Sequence, residues 1–133
     1  MAEQQKKNIL IVEDDQDQAM ALAMYAKGKG YTPRVAYDAT FAIMSLHKVQ
    51  IDLVILDIGL PGGGGLFVLE NLKRSVQTFD VPVVILTAKI EEGLEKKARD
   101  KGASAFFTKP CPMETLFGAI EKILNPPPSD TAV

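Results

Sequence analysis

Cysteine occurs once, as Cys111, in a chain of 133 residues that has no tryptophan. One thiol forms no intrachain disulfide. The chain is therefore not a disulfide scaffold, and its composition suits a reducing compartment such as the cytoplasm. Histidine also occurs once, as His47, so a His/Cys cluster of the zinc-binding kind has no material to form from. No apolar run approaches the ~20 residues that cross a bilayer. Residues 1–8 are polar, unlike a secretory signal. Positive charge is not in excess: 15 Lys and Arg against 17 Asp and Glu leave a formal net charge of −2. That balance argues against direct nucleic-acid binding. No repeat of solenoid period is visible.

The chain does have the composition of an ordinary globular domain, 47% hydrophobic and 24% charged. Its length predicts one domain. It is enough to bury roughly two thirds of the unfolded surface without a metal or disulfide. Residues 1–6 read as a polar leader, 7–125 as the domain, and 126–133 as a Pro-rich tail or the start of a linker.

Within the domain, short apolar runs alternate with helical patterns. Ile9 to Val12, 32–37, Asp52 to Asp57, Val81 to Leu86 and Ala103 to Thr108 read as strands. Pro33 in the second run predicts an edge position. Apolar residues recur at helical spacing at Ala19, Leu22, Ala23 and Ala26, at Ala39, Ala42, Ile43 and Leu46, and at Leu66, Leu69, Leu72 and Val76. Residues 91–101 are helical but highly charged, anchored by Leu94 and Ala98. A last helix carries Met113, Leu116, Phe117, Ile120 and Leu124. Pro61 and Gly62 to Gly65 read as a loop. Five strands alternating with five helices predict an α/β fold with a parallel sheet covered on both faces. The first, third and fourth strands are continuously apolar, as central parallel strands are. The order 2-1-3-4-5 of a flavodoxin-like (βα)5 three-layer sandwich follows, with ligands expected beyond the carboxyl ends of the strands.

Those ends carry chemistry. The first strand ends in Glu13-Asp14-Asp15, the third in Asp57, the fourth in Thr87-Ala88 and the fifth in Thr108-Lys109-Pro110. Each has a plain structural reading: Asp15 as a helix N-cap, the acids as turn residues, Thr87 as a strand terminus, Lys109 as a solvated lysine before a helix. Those readings leave the joint arrangement unexplained. Clustered carboxylates raise one another's pKa, and a divalent cation relieves the repulsion. Oxygen ligands alone suit Mg²⁺, or Mn²⁺, rather than zinc. A carboxylate beside a metal, an ammonium and a hydroxyl is placed to take up a phosphoryl group as an aspartyl phosphate.

These segments resemble the receiver domain of two-component response regulators. The resemblance rests on residues 9–15, 53–61, 83–88 and 102–110, in order, and covers about residues 7–125. It implies that Asp57 is the phosphoacceptor, served by a sensor histidine kinase or phosphotransfer protein. It implies that Glu13, Asp14, Asp57 and the backbone carbonyl of Gly59 hold Mg²⁺, that Thr87 and Lys109 bind phosphoryl oxygens, and that Phe106 is the switch aromatic coupled to Thr87. Phosphorylation would then shift the face formed by the fourth helix, fifth strand and fifth helix, and so act on a downstream protein or a fused output domain. The domain would be a cytoplasmic switch that catalyses only its own phosphorylation and dephosphorylation, with no nucleic-acid or membrane contact.

The chain departs from that family's usual pattern in places. Four glycines follow Pro61 where an acidic or polar residue is usual, and they predict a mobile loop on the metal side. The last helix has no arginine, and Ser104-Ala105 is not acidic, so a dimer through that charged face is not expected. Cys111 reads as a small half-buried filler rather than a redox group, and His47 as a surface residue. A flavin-type cofactor site would need a hydroxyl-rich phosphate loop after the first strand, where this chain has acids. An aspartyl phosphatase would need a second Asp at position 59. A receiver-like interaction module that works without phosphate is the remaining alternative.

Overall fold

The structure, a computed structural model, describes residues 5–126. Residues 1–4 of the polar leader and 127–133 of the tail lie outside the described residues. The elements in chain order are β1 (Asn8–Val12), α1 (Gln16–Gly28), β2 (Thr32–Ala36), α2 (Ala39–Lys48), β3 (Leu53–Leu56), a 3₁₀ turn (Pro61–Gly63), α3 (Gly64–Arg74), β4 (Val83–Thr87), α4 (Leu94–Asp100), β5 (Ala105–Thr108) and α5 (Met113–Leu124). All five strands are parallel, in the order β2-β1-β3-β4-β5. This is the expected flavodoxin-like topology.

Period-two alternation divides the sheet into two cores. Leu10, Val12, Val54, Leu56, Val83 and Ile85 face α2, α3 and α4. Ile9, Ile11, Leu53, Ile55, Val84 and Leu86 face α1 and α5. Both faces of β1, β3 and β4 are thus covered, which is why residues 9–12, 53–56 and 83–86 are all apolar. Pro33 sits on the edge strand as expected, where a missing N–H costs nothing to a neighbour.

Helix starts follow local chemistry. The Asp15 carboxylate accepts the Gln18 N–H at 3.0 Å and so caps α1, and Asp38 accepts the Phe41 N–H at 2.8 Å and caps α2. The register aligns Val12 with Leu56, Leu56 with Ile85, and Thr87 with Thr108. The residues just past these positions therefore emerge at one edge of the sheet.

Three boundary expectations are corrected. Gly64 and Gly65 are not loop but the first turn of α3. A Cβ on Gly65 would stand 2.3 Å from the Ile58 Cα and 2.7 Å from the Asp57 carbonyl oxygen, so the glycine is there to let helix and strand end meet. Of the four glycines at 62–65, only Gly62 and Gly63 use the left-handed freedom, at φ 69° and 73°. Val76 is not on the third helix. It is 88% exposed, because α3 ends at Arg74 and Ser75 turns extended. The Thr78 hydroxyl and the Lys73 ammonium then hold the following turn by donating to the carbonyls of Leu72, Phe79 and Val81. The charged fourth helix is short, beginning only at Leu94 after a left-handed Gly93. Its two expected anchors, Leu94 and Ala98, are buried.

Candidate functional site

The strand ends converge. Main-chain bonds from Glu13 N–H to the Ala36 carbonyl (3.1 Å), Asp57 N–H to Val12 (3.0 Å) and Lys109 N–H to Thr87 (2.8 Å) carry the parallel pairing one residue past each strand. They position side chains from four separated segments around one carboxylate. Oδ1 of Asp57 accepts the Gly59 N–H at 2.7 Å and the Thr87 hydroxyl at 2.8 Å. Oδ2 lies 3.2 Å from the Lys109 ammonium, which also pairs with Oε1 of Glu13. The second Glu13 oxygen accepts the Asp15 N–H at 3.3 Å. The Lys89 N–H donates to Oγ of Thr87 at 3.1 Å. That bond fills the acceptor side of the hydroxyl and leaves its proton for Asp57.

Burial sharpens these contacts. Glu13, Asp57 and Thr87 are 3%, 9% and 0% exposed, whereas Asp14 lies open at the rim. Burial pushes the Glu13 carboxyl above its ordinary range, outweighing the Lys109 bond that would lower it. Burial alone would lower the Lys109 pKa. The bond to Glu13 and the charges of Asp57 and Glu13 reverse that and hold the ammonium above its usual value. The pocket thus carries more negative than positive charge. Oxygen atoms of Glu13, Asp14 and Asp57 lie within 4.8 Å of one another. An all-oxygen set of that spacing, in surplus negative charge, fits a hard divalent cation such as Mg²⁺.

The structure brings Glu13, Asp14, Asp57, Gly59, Thr87 and Lys109 together. Phe106 stands apart from the carboxylates. It is half-buried on β5, opposite Ile85 in the register, and packs against the core shared with α4. Two features escaped the sequence reading. The first is the Lys89 backbone N–H on Thr87. The second is the tight seat of Gly59, where a Cβ would come within 3.1 Å of Asp57 Oδ1 and 3.4 Å of Thr87 Oγ. The two-residue spacings from Asp57 and Thr87 were the available signal, but neither contact involves a side chain of the residue concerned. Cys111 is half-buried, and burial raises its thiol pKa, in keeping with a filler.

The model of the response regulator receiver domain matches residues 9–121. The chain belongs to that family. It is 34% identical over 119 residues to the phosphate regulon transcriptional regulatory protein PhoB of Escherichia coli, an alignment spanning 90% of this chain and 52% of that protein. It is 31% identical over 121 residues to the response regulator ArlR of Staphylococcus haemolyticus, spanning 91% of this chain and 54% of ArlR. This receiver domain therefore spans about half the length of the curated relatives it matches. Among solved structures, a response regulator from Chloroflexus aurantiacus superposes with a TM-score of 0.84 at 28% identity, covering 90% of this chain and 98% of that one. A CheY-like receiver domain from Methanospirillum hungatei superposes with a TM-score of 0.84 at 23% identity, covering 90% and 94%. The second likeness speaks to fold. The match over residues 9–121 is what makes this a receiver domain of response regulators. Among the described residues no helix is long and apolar enough to cross a membrane.

Proposed function

We propose that this receiver domain accepts a phosphoryl group on Asp57 from a phosphohistidine of a sensor histidine kinase or phosphotransfer protein. In the step, a carboxylate oxygen of Asp57 forms the new P–O bond while the P–N bond breaks, and the imidazole leaves to pick up a proton. Glu13, Asp14, Asp57 and the Gly59 carbonyl would hold Mg²⁺, which when bound supplies positive charge to the phosphoryl oxygens and to the crowded carboxylates. Lys109 supplies a second, fixed charge to an equatorial oxygen. The Thr87 hydroxyl and the Gly59 N–H, both already aimed at Asp57 Oδ1, orient the acceptor. The observation that carries this reading is the joint engagement of one nearly buried Asp57 by Thr87 and Lys109, beside two further acids.

The same contacts support a switch. Transfer would put new acceptor oxygens where Thr87 and Lys109 now bond the carboxylate, and both side chains would follow them. Thr87 ends β4 and leads to α4, a seven-residue helix held by two buried side chains. A weakly anchored helix responds to small changes at its entry. The α4-β5-α5 face, with Phe106 beneath it, would then be what a downstream protein or fused output domain reads. The domain works as a cytoplasmic switch rather than a turnover enzyme, and its net charge of −2 gives it no direct role at nucleic acid.

Intact mass spectra after incubation with Mg²⁺ and a small acyl-phosphate donor test the reading. The expected result is one added phosphoryl group, lost with EDTA and in Asp57→Asn. No adduct on folded protein, from this donor or from a phosphorylated histidine kinase, would overturn it in favour of a phosphate-independent interaction module.

A further inference from the structure

Away from the carboxylate pocket, α1 and α5 leave a groove of about 430 Å³ between them. Its walls combine aromatic rings with unpaired acids. Tyr25 and Tyr31 stand around a buried Phe117, with ring centroids 5.0 Å and 6.3 Å from it at tilted angles. Glu114 and Glu121, two helical turns apart on α5, line the same groove. Neither forms an ion pair among the described residues. The groove already accepts a cation in part: the Lys29 ammonium sits 5.6 Å from the Tyr25 ring centroid, with no carboxylate partner among the described residues. Gly118 lines it as well, in the middle of α5. Glycine weakens a helix interior relative to alanine. Here it answers no packing need, since a Cβ would meet nothing within 4 Å. It does keep the groove open between the two acids.

We infer that this groove is a docking surface for an arginine side chain presented by a partner protein. A guanidinium is planar and weakly hydrated, so it stacks on a tyrosine ring while its N–H groups reach carboxylates on either side. Lys29 covers one face of Tyr25 and leaves Glu121 and the Tyr31 side of the groove to the incoming cation. The partner chemistry is thus a basic segment carrying arginine, complementary to Glu114 and Glu121. The surface is separate from the phosphoacceptor pocket, and the inference does not rest on the phosphotransfer reading.

Amide NMR titration of the full chain with a short helical peptide bearing two arginines tests this, against the same peptide with citrulline at both positions. Shifts centred on Tyr25, Tyr31, Gly118 and Glu121 are expected. Binding should weaken roughly tenfold with citrulline, which removes the charge but keeps the shape. It should weaken roughly threefold in Glu121→Gln. Gly118→Leu should block the groove, and Glu121→Gln serves alone if that variant fails to fold. Equal binding of the citrulline peptide, shifts confined to Asp14 and Asp57, or no shift at millimolar peptide would each overturn the proposal.

Discussion

Replacing Gly65 by alanine adds one methyl group where the first turn of α3 crosses the end of β3. The new carbon would stand 2.3 Å from Ile58 Cα, 2.7 Å from the Asp57 carbonyl oxygen and 2.8 Å from the Ile58 carbonyl carbon. Carbon atoms rest at about 3.5–4 Å, and all three neighbours are backbone, so no side chain can rotate away. The start of the helix must retreat by about 1 Å. Overpacking of this kind costs about 1–3 kcal/mol, occasionally more, and a backbone clash belongs at the upper end. Alanine gains at most about 1 kcal/mol in helix propensity over glycine. The net expectation for Gly65→Ala is a loss of about 2 kcal/mol, or roughly 8 °C in melting temperature for a domain of this size. Gly118→Ala is the control. It is also a helical glycine, but with nothing within 4 Å of the added carbon, so only the propensity gain remains and stability should rise by about 0.5–1 kcal/mol. Urea unfolding followed by circular dichroism measures both midpoints. A Gly65→Ala midpoint equal to or above wild type would refute the steric argument. A fall in both variants would refute the separation of packing from propensity.

Further outcomes follow from the pocket and its surroundings. Lys109 is held charged above its ordinary pKa, so the stability it contributes is present below the unfolded value and is lost as pH rises through the folded one. Thermal melts of wild type should therefore decline in the alkaline range, while Lys109→Met loses that decline. The variant should be about 1–3 kcal/mol less stable at pH 7, where Glu13 and Asp57 are left unpaired. That deficit should shrink as pH falls and Glu13, whose pKa burial raises, takes up a proton. Mg²⁺ at 100 times its dissociation constant should stabilise wild type by about 2.7 kcal/mol. Asp14→Asn, at an exposed rim position, should leave the metal-free melt within about 0.5 kcal/mol but need markedly more Mg²⁺ for the same shift. Cys111 has its thiol pKa raised by burial, so iodoacetamide at pH 8 should alkylate it more slowly than a free small thiol. Equal rates would show that the burial is not maintained in solution.

The sheet and much of the site were legible in the sequence because their determinants are local. A strand buried on both faces must be apolar along its whole length, as 9–12, 53–56 and 83–86 are, and polar residues can resume only where the strand leaves the core. The acids at 13–14 and 57 and the threonine at 87 stand at those exits, so the runs and the chemistry mark each other. What stayed illegible is set by distant partners. Four consecutive glycines look like a loop until Ile58, across the β3–α3 connection, is seen to require Gly65. Val76 continues a helical spacing until Lys73 and Thr78 are seen to close the turn beneath it. Lys109 reaches Glu13 across 96 positions, a pairing no window of sequence contains. Thr87 and Lys109 are expected as phosphoryl ligands, and in the structure both bond the Asp57 carboxylate. Under the proposed function these are one set of donors at two stages. A hydroxyl at 2.8 Å and an ammonium at 3.2 Å from the two Asp57 oxygens neutralise the acceptor before transfer. The oxygens that arrive with phosphorus compete for the same protons. The cost of giving up those two bonds would then set how far the switch moves. Thr87→Ser, which keeps the hydroxyl but frees its rotation, should preserve phosphorylation while loosening the coupling to α4.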